Sequence, residues 1–333
     1  MTNDRLQNHI SESTLTLPVC AAIAVVLWFV RINPLSFRID VRTAVSLLSV
    51  MLTTYIIMET NTANSLLRIR SRMVSAVWVM GISMMTFSHD VTVTWITVPL
   101  MAATHYLLFK TYQDPNPVNY TFHIFFLLGT MILIMPNLYV LILLYFWYMA
   151  VFMRSLSWRA FWAGLIGLAM PSWFLFGWCA ANGDYTMVTD IIGTIASPQP
   201  IEQDNYTTWL SVHNPRTLTW CCLTFVTSVA TIHYLRNYFK DKIRTRMYLY
   251  IYVIQTVAIW LLLLWQPDKY DRLMPLFMLC AGTLIAHHFA LTGTILSNLF
   301  FVLSVLAWVA LTTINMGLWK LSYRFSTATD TGE

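Results

Sequence analysis

Apolar residues gather in eleven runs, at 15–30, 43–58, 73–87, 92–109, 120–135, 138–153, 160–181, 217–235, 248–265, 274–291 and 295–318, with polar stretches between them. Runs of about 20 apolar residues match the hydrocarbon thickness of a bilayer as helices. Several of these are shorter, which predicts snorkelling, local thinning or, in one or two cases, re-entry instead of a full crossing. The break at Met135-Pro136-Asn137 is the tightest. Proline stops one helix and asparagine favours a turn, so the fifth and sixth runs are expected to form a close hairpin.

The longest polar stretch, 182–216, has its own pattern. Val188, Ile191, Ile192 and Ile195 recur at i, i+3, i+4 and i+7, preceded by Asp184 and followed by Ser197-Pro198-Gln199-Pro200. That spacing puts one apolar stripe on a short helix capped by Asp184, expected to lie flat at the outer interface. Tyr206 and Trp209 are expected at headgroup depth there.

Composition excludes a soluble domain: of 333 residues 57% are apolar and 11% charged, with a mean hydropathy of +0.60. In a soluble protein the net charge of +5 would point to nucleic acid, but here the bases sit in short loops and report topology. Arg68, Arg70 and Arg72 follow the second run, Lys110 the fourth, Arg154 and Arg159 the sixth, and Arg236, Lys240, Lys242, Arg244 and Arg246 the eighth. Even-numbered runs therefore end in the cytoplasm, with the N-terminus inside and the C-terminus outside. Loop one, RINPLSFRIDVR, and the tail with Lys320 and Arg324 go against that rule.

The expected fold is all-α, a single integral membrane domain over 1–333 forming a transmembrane helical bundle of about eleven spans. Residues 1–14 form a polar cytoplasmic N-terminus with no removable signal peptide, 182–216 an extracytoplasmic loop, and 319–333 a polar tail. Cys20, Cys179, Cys221, Cys222 and Cys280 lie in apolar runs without CxxC spacing, which predicts neither a disulfide framework nor a zinc module.

One segment, RSLSWRAFWAGLIGLAMPSWFLFGWCAANG from Arg154 to Gly183, joins a basic turn, an aromatic-Arg pair, Gly164 and Gly167, Pro171 and an aromatic run. With NSLLRIRSRM, from Asn64 to Met73, it resembles an uncharacterised polytopic inner-membrane protein family of Bacteroidota, whose members often carry a carotenoid-oxygenase label. The resemblance implies a bacterial inner membrane and supplies no site.

No run holds Asp, Glu, Lys or Arg away from its ends, which disfavours a proton-driven carrier. His105, His123, His233, His287 and His288 all project to the cytoplasmic end. They lack the clustered boxes of membrane di-iron enzymes, and the adjacent His287 and His288 point about 100° apart on a helix, so no metal and no cofactor is expected.

Loop one carries the sharpest functional signal: Arg31, Arg38, Asp40 and Arg42 within twelve residues. Arginine forks bind phosphate bidentately, so these arginines, with Arg216 and His213 across the outer face, are candidates for an anionic headgroup or lipid pyrophosphate. A carboxylate in the first outer loop also resembles polytopic lipid-linked glycosyltransferases, whose first loop is much longer, and makes Asp40 the candidate catalytic residue. The basic stretch RNYFKDKIRTRM, Arg236 to Met247, reads as a partner of anionic lipid. The expected function is handling of an anionic, lipid-linked substrate at the outer face in envelope biogenesis, as transferase or translocation component. The alternative is a non-enzymatic membrane assembly or scaffold protein with a membrane protein partner; a transporter ranks third. Membrane lipids are the expected partners, and nucleic acid is not.

Overall fold

The structure, a computed structural model, describes residues 6–31, 41–69, 71–89, 92–196 and 214–317. Among the described residues the chain is all helical: α1 (Leu6–Glu12), α2 (Thr16–Arg31), α3 (Val41–Asn64), α4 (Met73–Ser83), α5 (Thr92–Lys110), α6 (Val118–Ile134), α7 (Val140–Val151), α8 (Trp158–Asn182), α9 (Thr186–Ala196), α10 (Pro215–Asn237), α11 (Ile243–Trp265), α12 (Tyr270–Leu291) and α13 (Ile295–Asn315). Each of the eleven apolar runs forms a helix, α2 to α8 and α10 to α13. Six helical stretches are long and apolar enough to cross a membrane: Ala44–Asn64, Trp158–Asn182, Pro215–Lys240, Ile243–Trp265, Pro267–Leu291 and Ile295–Asn315. Together they mark a membrane-spanning protein.

Local chemistry sets the helix ends. The side chains of Ser157, Asn214 and Thr294 accept backbone N–H groups in the first turns of α8, α10 and α13. Pro136 and Pro267 open short 3₁₀ turns that lead into α7 and α12. Gly183, at φ 68°, ends α8 in the left-handed conformation that only glycine adopts without strain. Asp184 then accepts the Thr186 N–H and hydroxyl at 2.9 and 2.8 Å and holds the first turn of α9.

The centre of the bundle is α12. Every residue from Leu273 to Ala290 is buried, with α4, α5, α10 and α11 packed around it. Elsewhere the close hairpin expected of the fifth and sixth runs does not dominate, because α6 packs chiefly on α8 and only lightly on α7. Glycine decides the pairing. A Cβ at Gly167 would lie 2.4 Å from the Phe122 carbonyl oxygen, so these two backbones approach as no larger residue allows. The bulky side chains of α7 reach α11 instead, where the Tyr148 hydroxyl donates to Gln255 at 3.0 Å.

Interhelical contacts sort the loops into two ends. At one, Gln7 of α1 donates its amide to the Phe289 carbonyl and Thr292 at 2.6 and 2.9 Å, Arg244 donates to Asn64 at 3.3 Å, and Gln113 N–H reaches the Met153 carbonyl at 2.8 Å. At the other, Asn315 donates to the Met84 carbonyl at 2.8 Å and to Thr219 at 3.0 Å. The first end carries Arg68, Arg72, Lys110, Arg154, Arg159, Arg236, Lys240, Lys242, Arg244 and Arg246. The second carries Arg31, Arg42, Arg216, Lys269 and Arg272, of which Arg216 and Lys269 are paired with aspartates.

The α6 and α8 contact predicts a contrast between two glycines of one helix. Gly167→Ala should lower stability by about 1–3 kcal/mol through overpacking. Gly177→Ala, where an added Cβ meets nothing within 4 Å, should be neutral or raise stability by up to about 1 kcal/mol through helix propensity. Thermal unfolding of the two variants in detergent checks this; equal melting temperatures would contradict the packing.

Candidate functional site

At the end shared by Asn315 and Met84, Arg216 stands in the first turn of α10, where Asn214 accepts its N–H at 3.1 Å. Its guanidinium forks onto Asp271 of α12, Nε to Oδ1 at 2.8 Å and Nη2 to Oδ2 at 2.9 Å. Two parallel charge-assisted bonds fix orientation as well as charge. The buried Tyr270 hydroxyl donates to the Arg216 carbonyl at 2.7 Å, and the Phe87 ring lies 5.6 Å below the guanidinium. The pair borders the surface, Arg216 being 37% and Asp271 25% exposed.

From Phe87 the 3₁₀ turn Thr86–Ser88 leads to His89, whose ring stacks on Trp28 at 3.5 Å. Trp28 donates its indole N–H to Ser46 at 3.1 Å and so ties the last turns of α2 to the start of α3. Arg216 thus lies over Phe87, two residues before the His89 that stacks on Trp28 near the end of α2. Arg31 closes α2 and Arg42 stands in the first turn of α3, at this same end. Arg38 and Asp40 lie outside the described residues, as do Arg70, Glu202, Asp204, Tyr206, Trp209, His213, Lys320 and Arg324.

The opposite end holds a cluster that the sequence does not reveal. Asp241, between α10 and α11, is buried to 1% side-chain exposure. Its Oδ1 lies 2.7 Å from Arg68 Nε and its Oδ2 3.3 Å from His287 Nε2. Burial by itself would raise the Asp241 carboxyl, but the His287 imidazole and the Arg68 guanidinium together bring it below its ordinary value of 3.8. Tyr234 sets its ring 5.4 Å from that of His287, and its hydroxyl donates to the Arg246 carbonyl at 3.2 Å. His288 turns away from this group and meets His233, with ring centroids 4.6 Å apart.

The five histidines thus divide. His233, His287 and His288 gather near Asp241, whereas His105 donates Nδ1–H to the Met101 carbonyl at 2.8 Å and stacks on Tyr252, and His123 is exposed on α6. Among the described residues no group of three or more His, Cys, Asp or Glu is arranged to hold a metal ion. A carboxylate between an imidazole and a guanidinium neutralises charge and fixes the three elements that carry it. Chemically the cluster is a clasp that ties the loop after α3 and the turn after α10 to the last turns of α12. One sequence signal could have found it: Asp241 is the single acid among five bases, in a turn too short to leave the membrane face.

Compared with protein-family models and with curated proteins, the chain matches none.

The Asp241 clasp predicts a pH-dependent stability. Asp241→Asn strands Arg68 and His287 and should cost about 3 kcal/mol at pH 7, at the low end for a broken buried pair because half-exposed Arg68 regains water. Arg68→Gln should cost about 1 kcal/mol or less, for the same reason. A depressed carboxyl stabilises the fold above its unfolded value and loses that contribution as pH falls through the folded value. The difference between wild type and Asp241→Asn should therefore stay constant above pH 5 and shrink below 3.8. Denaturant unfolding at pH 7 and pH 3 reads it; a gap as large at pH 3 as at pH 7 would show that the carboxylate charge is not its cause.

Proposed function

We propose that the protein is an eleven-span integral membrane protein, N-terminus in the cytoplasm, that handles an anionic lipid-linked substrate at the outer face. The observation that carries this reading is the shared position of Arg216, Arg31 and Arg42 at one end of the bundle, on helices α10, α2 and α3. Loop one and Arg216 had to meet at one face for such a site to exist. Arg216 itself is committed to Asp271, so it anchors the site while Arg31, Arg38 and Arg42 bind the anion, with Asp40 as the acid or base. The orientation rests on the excess of Lys and Arg at the Asp241 end among the described residues, which the positive-inside rule assigns to the cytoplasm. The short helix α9, with none of its residues buried, fits an outer interfacial position. The resemblance of 154–183 and 64–73 to a Bacteroidota membrane family supports a bacterial inner membrane.

The scaffold alternative has an observation of its own. On α8, Trp158, Trp162, Trp173, Phe174 and Trp178 are exposed, a broad aromatic face suited to lipid or to a partner helix. A transporter finds less support, because α12 is packed on every side and carries no charged residue after Arg272.

Two measurements test the reading. With all native cysteines replaced, single cysteines at Arg154 and Lys240 should resist an impermeant thiol reagent added outside, and those at Asp190 and Lys269 should react; the reverse pattern would overturn the orientation. Binding of farnesyl pyrophosphate, a soluble prenyl pyrophosphate, should weaken about tenfold in each of Arg31→Gln, Arg38→Gln and Arg42→Gln, since each removes a charge-assisted hydrogen bond. If all three bind as wild type does, the scaffold reading stands in its place.

A further inference from the structure

An apolar cleft of about 350 Å³ opens beside α12 at the Asp241 end. Its floor is Met73, Val77 and Met80 of α4 with Phe289 of α12; one wall is Val19 and its neighbours on α2, the other Val305 and its neighbours on α13. The turn joining α1 to α2 roofs it, with His9 and Ser13 at the mouth. From Met73 to Met80 the floor runs seven residues along a helix, about 10 Å. It therefore reaches from the basic end toward mid-depth. The side is open rather than sealed: Leu15 and Val19, which line it, are 66% and 54% exposed.

The dimensions restrict the occupant. About two helical turns long and lined almost wholly by apolar side chains, the cleft offers too short a contact to seat a partner helix. Residues 1–5, MTNDR, are polar, and the chain beyond 317 leaves α13 at the far end, so neither segment of this chain matches an apolar slot here. What fits is one extended hydrocarbon chain entering from the side.

The mouth adds charge. Ser71 donates its hydroxyl to the Ser11 carbonyl and thereby fastens the loop before α4 to the end of α1. Arg72 is exposed between that fastening and Met73, the first floor residue. Arg72 makes this side of the mouth complementary to an anionic headgroup, while exposed Glu12 stands beside Ser13 on the other side.

We propose that this cleft binds one acyl chain of an anionic phospholipid from the leaflet at the Asp241 end, with Arg72 and His9 facing the phosphate. The site is independent of the outer-face reading, because it lies at the opposite end and shares no residue with it.

Native mass spectrometry of the full chain, released from bilayers of phosphatidylglycerol and phosphatidylcholine mixed equally, tests this. Wild type is expected to retain one phosphatidylglycerol per chain. Val305→Trp fills the cleft and should remove that lipid, whereas Leu303→Trp, on the exposed face of α13, should keep it. Val19→Trp at the open mouth supplies a second blocking variant that leaves the core untouched and should also lose the lipid. Arg72→Gln should reduce the preference for phosphatidylglycerol over phosphatidylcholine by about tenfold. Retention of the lipid in both Val305→Trp and Val19→Trp would overturn the cleft, and an unchanged preference in Arg72→Gln would overturn the anionic headgroup.

Discussion

A helix buried on every side has no lipid face to fix its depth and no water to satisfy its ends, so something else must hold it. In this protein α12 meets that constraint with a polar clasp at each terminus. Asp271 receives the fork of Arg216 in its first turn, and His287 meets Asp241 and Arg68 near its last. Gln7 adds a third tie by donating to the Phe289 carbonyl, one of the terminal carbonyls that the helix cannot bond internally. Lipid tails are as apolar as leucine, so burial of apolar surface does not favour helix association over solvation by the bilayer. Packing and polar contacts then supply the specificity, and α4, α5, α10 and α11 take their positions from the helix so clasped. Close approach does the rest, as where Gly81 of α4 leaves room for Met278.

This division explains what was legible in the sequence. The eleven helices follow from the apolar runs, because a run of that length needs a helix to satisfy its backbone in an apolar medium. Their burial order does not follow. The more apolar α13 faces outward while α12 is enclosed, since hydropathy treats a lipid neighbour and a protein neighbour alike. The pairing of α6 with α8 was half visible, as Gly164 and Gly167 stood out on one helix, but their partner was not.

The polar contacts were less legible still, for a related reason. Asp241 reads as a solvated acid among bases, and only the fold shows that the turn after α10 tucks it beneath α12. Arg216 reads as a free base for an anion; its partner Asp271 lies 55 residues away in sequence. The polar N-terminus reads as a tail, yet α1 docks through Gln7. The divergence of His287 and His288 was the exception, because it depends only on the angle between adjacent helical residues. Local geometry could be read and long-range pairing could not.

The two clasps also bear on which activities the bundle can perform. Moving a substrate across the membrane by alternating access requires one bundle to rock against another around a central site. Here the centre is occupied by α12, and rocking it would separate Arg216 from Asp271 at one end and His287 from Asp241 at the other. Each separation is unfavourable, the buried one most, which holds α12 in its packed position. The cleft lies along the flank of this core, and Arg31 and Arg42, which bracket loop one in sequence, stand on helices at its Asp271 end. A packed central helix clasped at both ends accords with the proposed holding of lipid-linked molecules at a membrane face, in which positioning and not passage through the middle is the work.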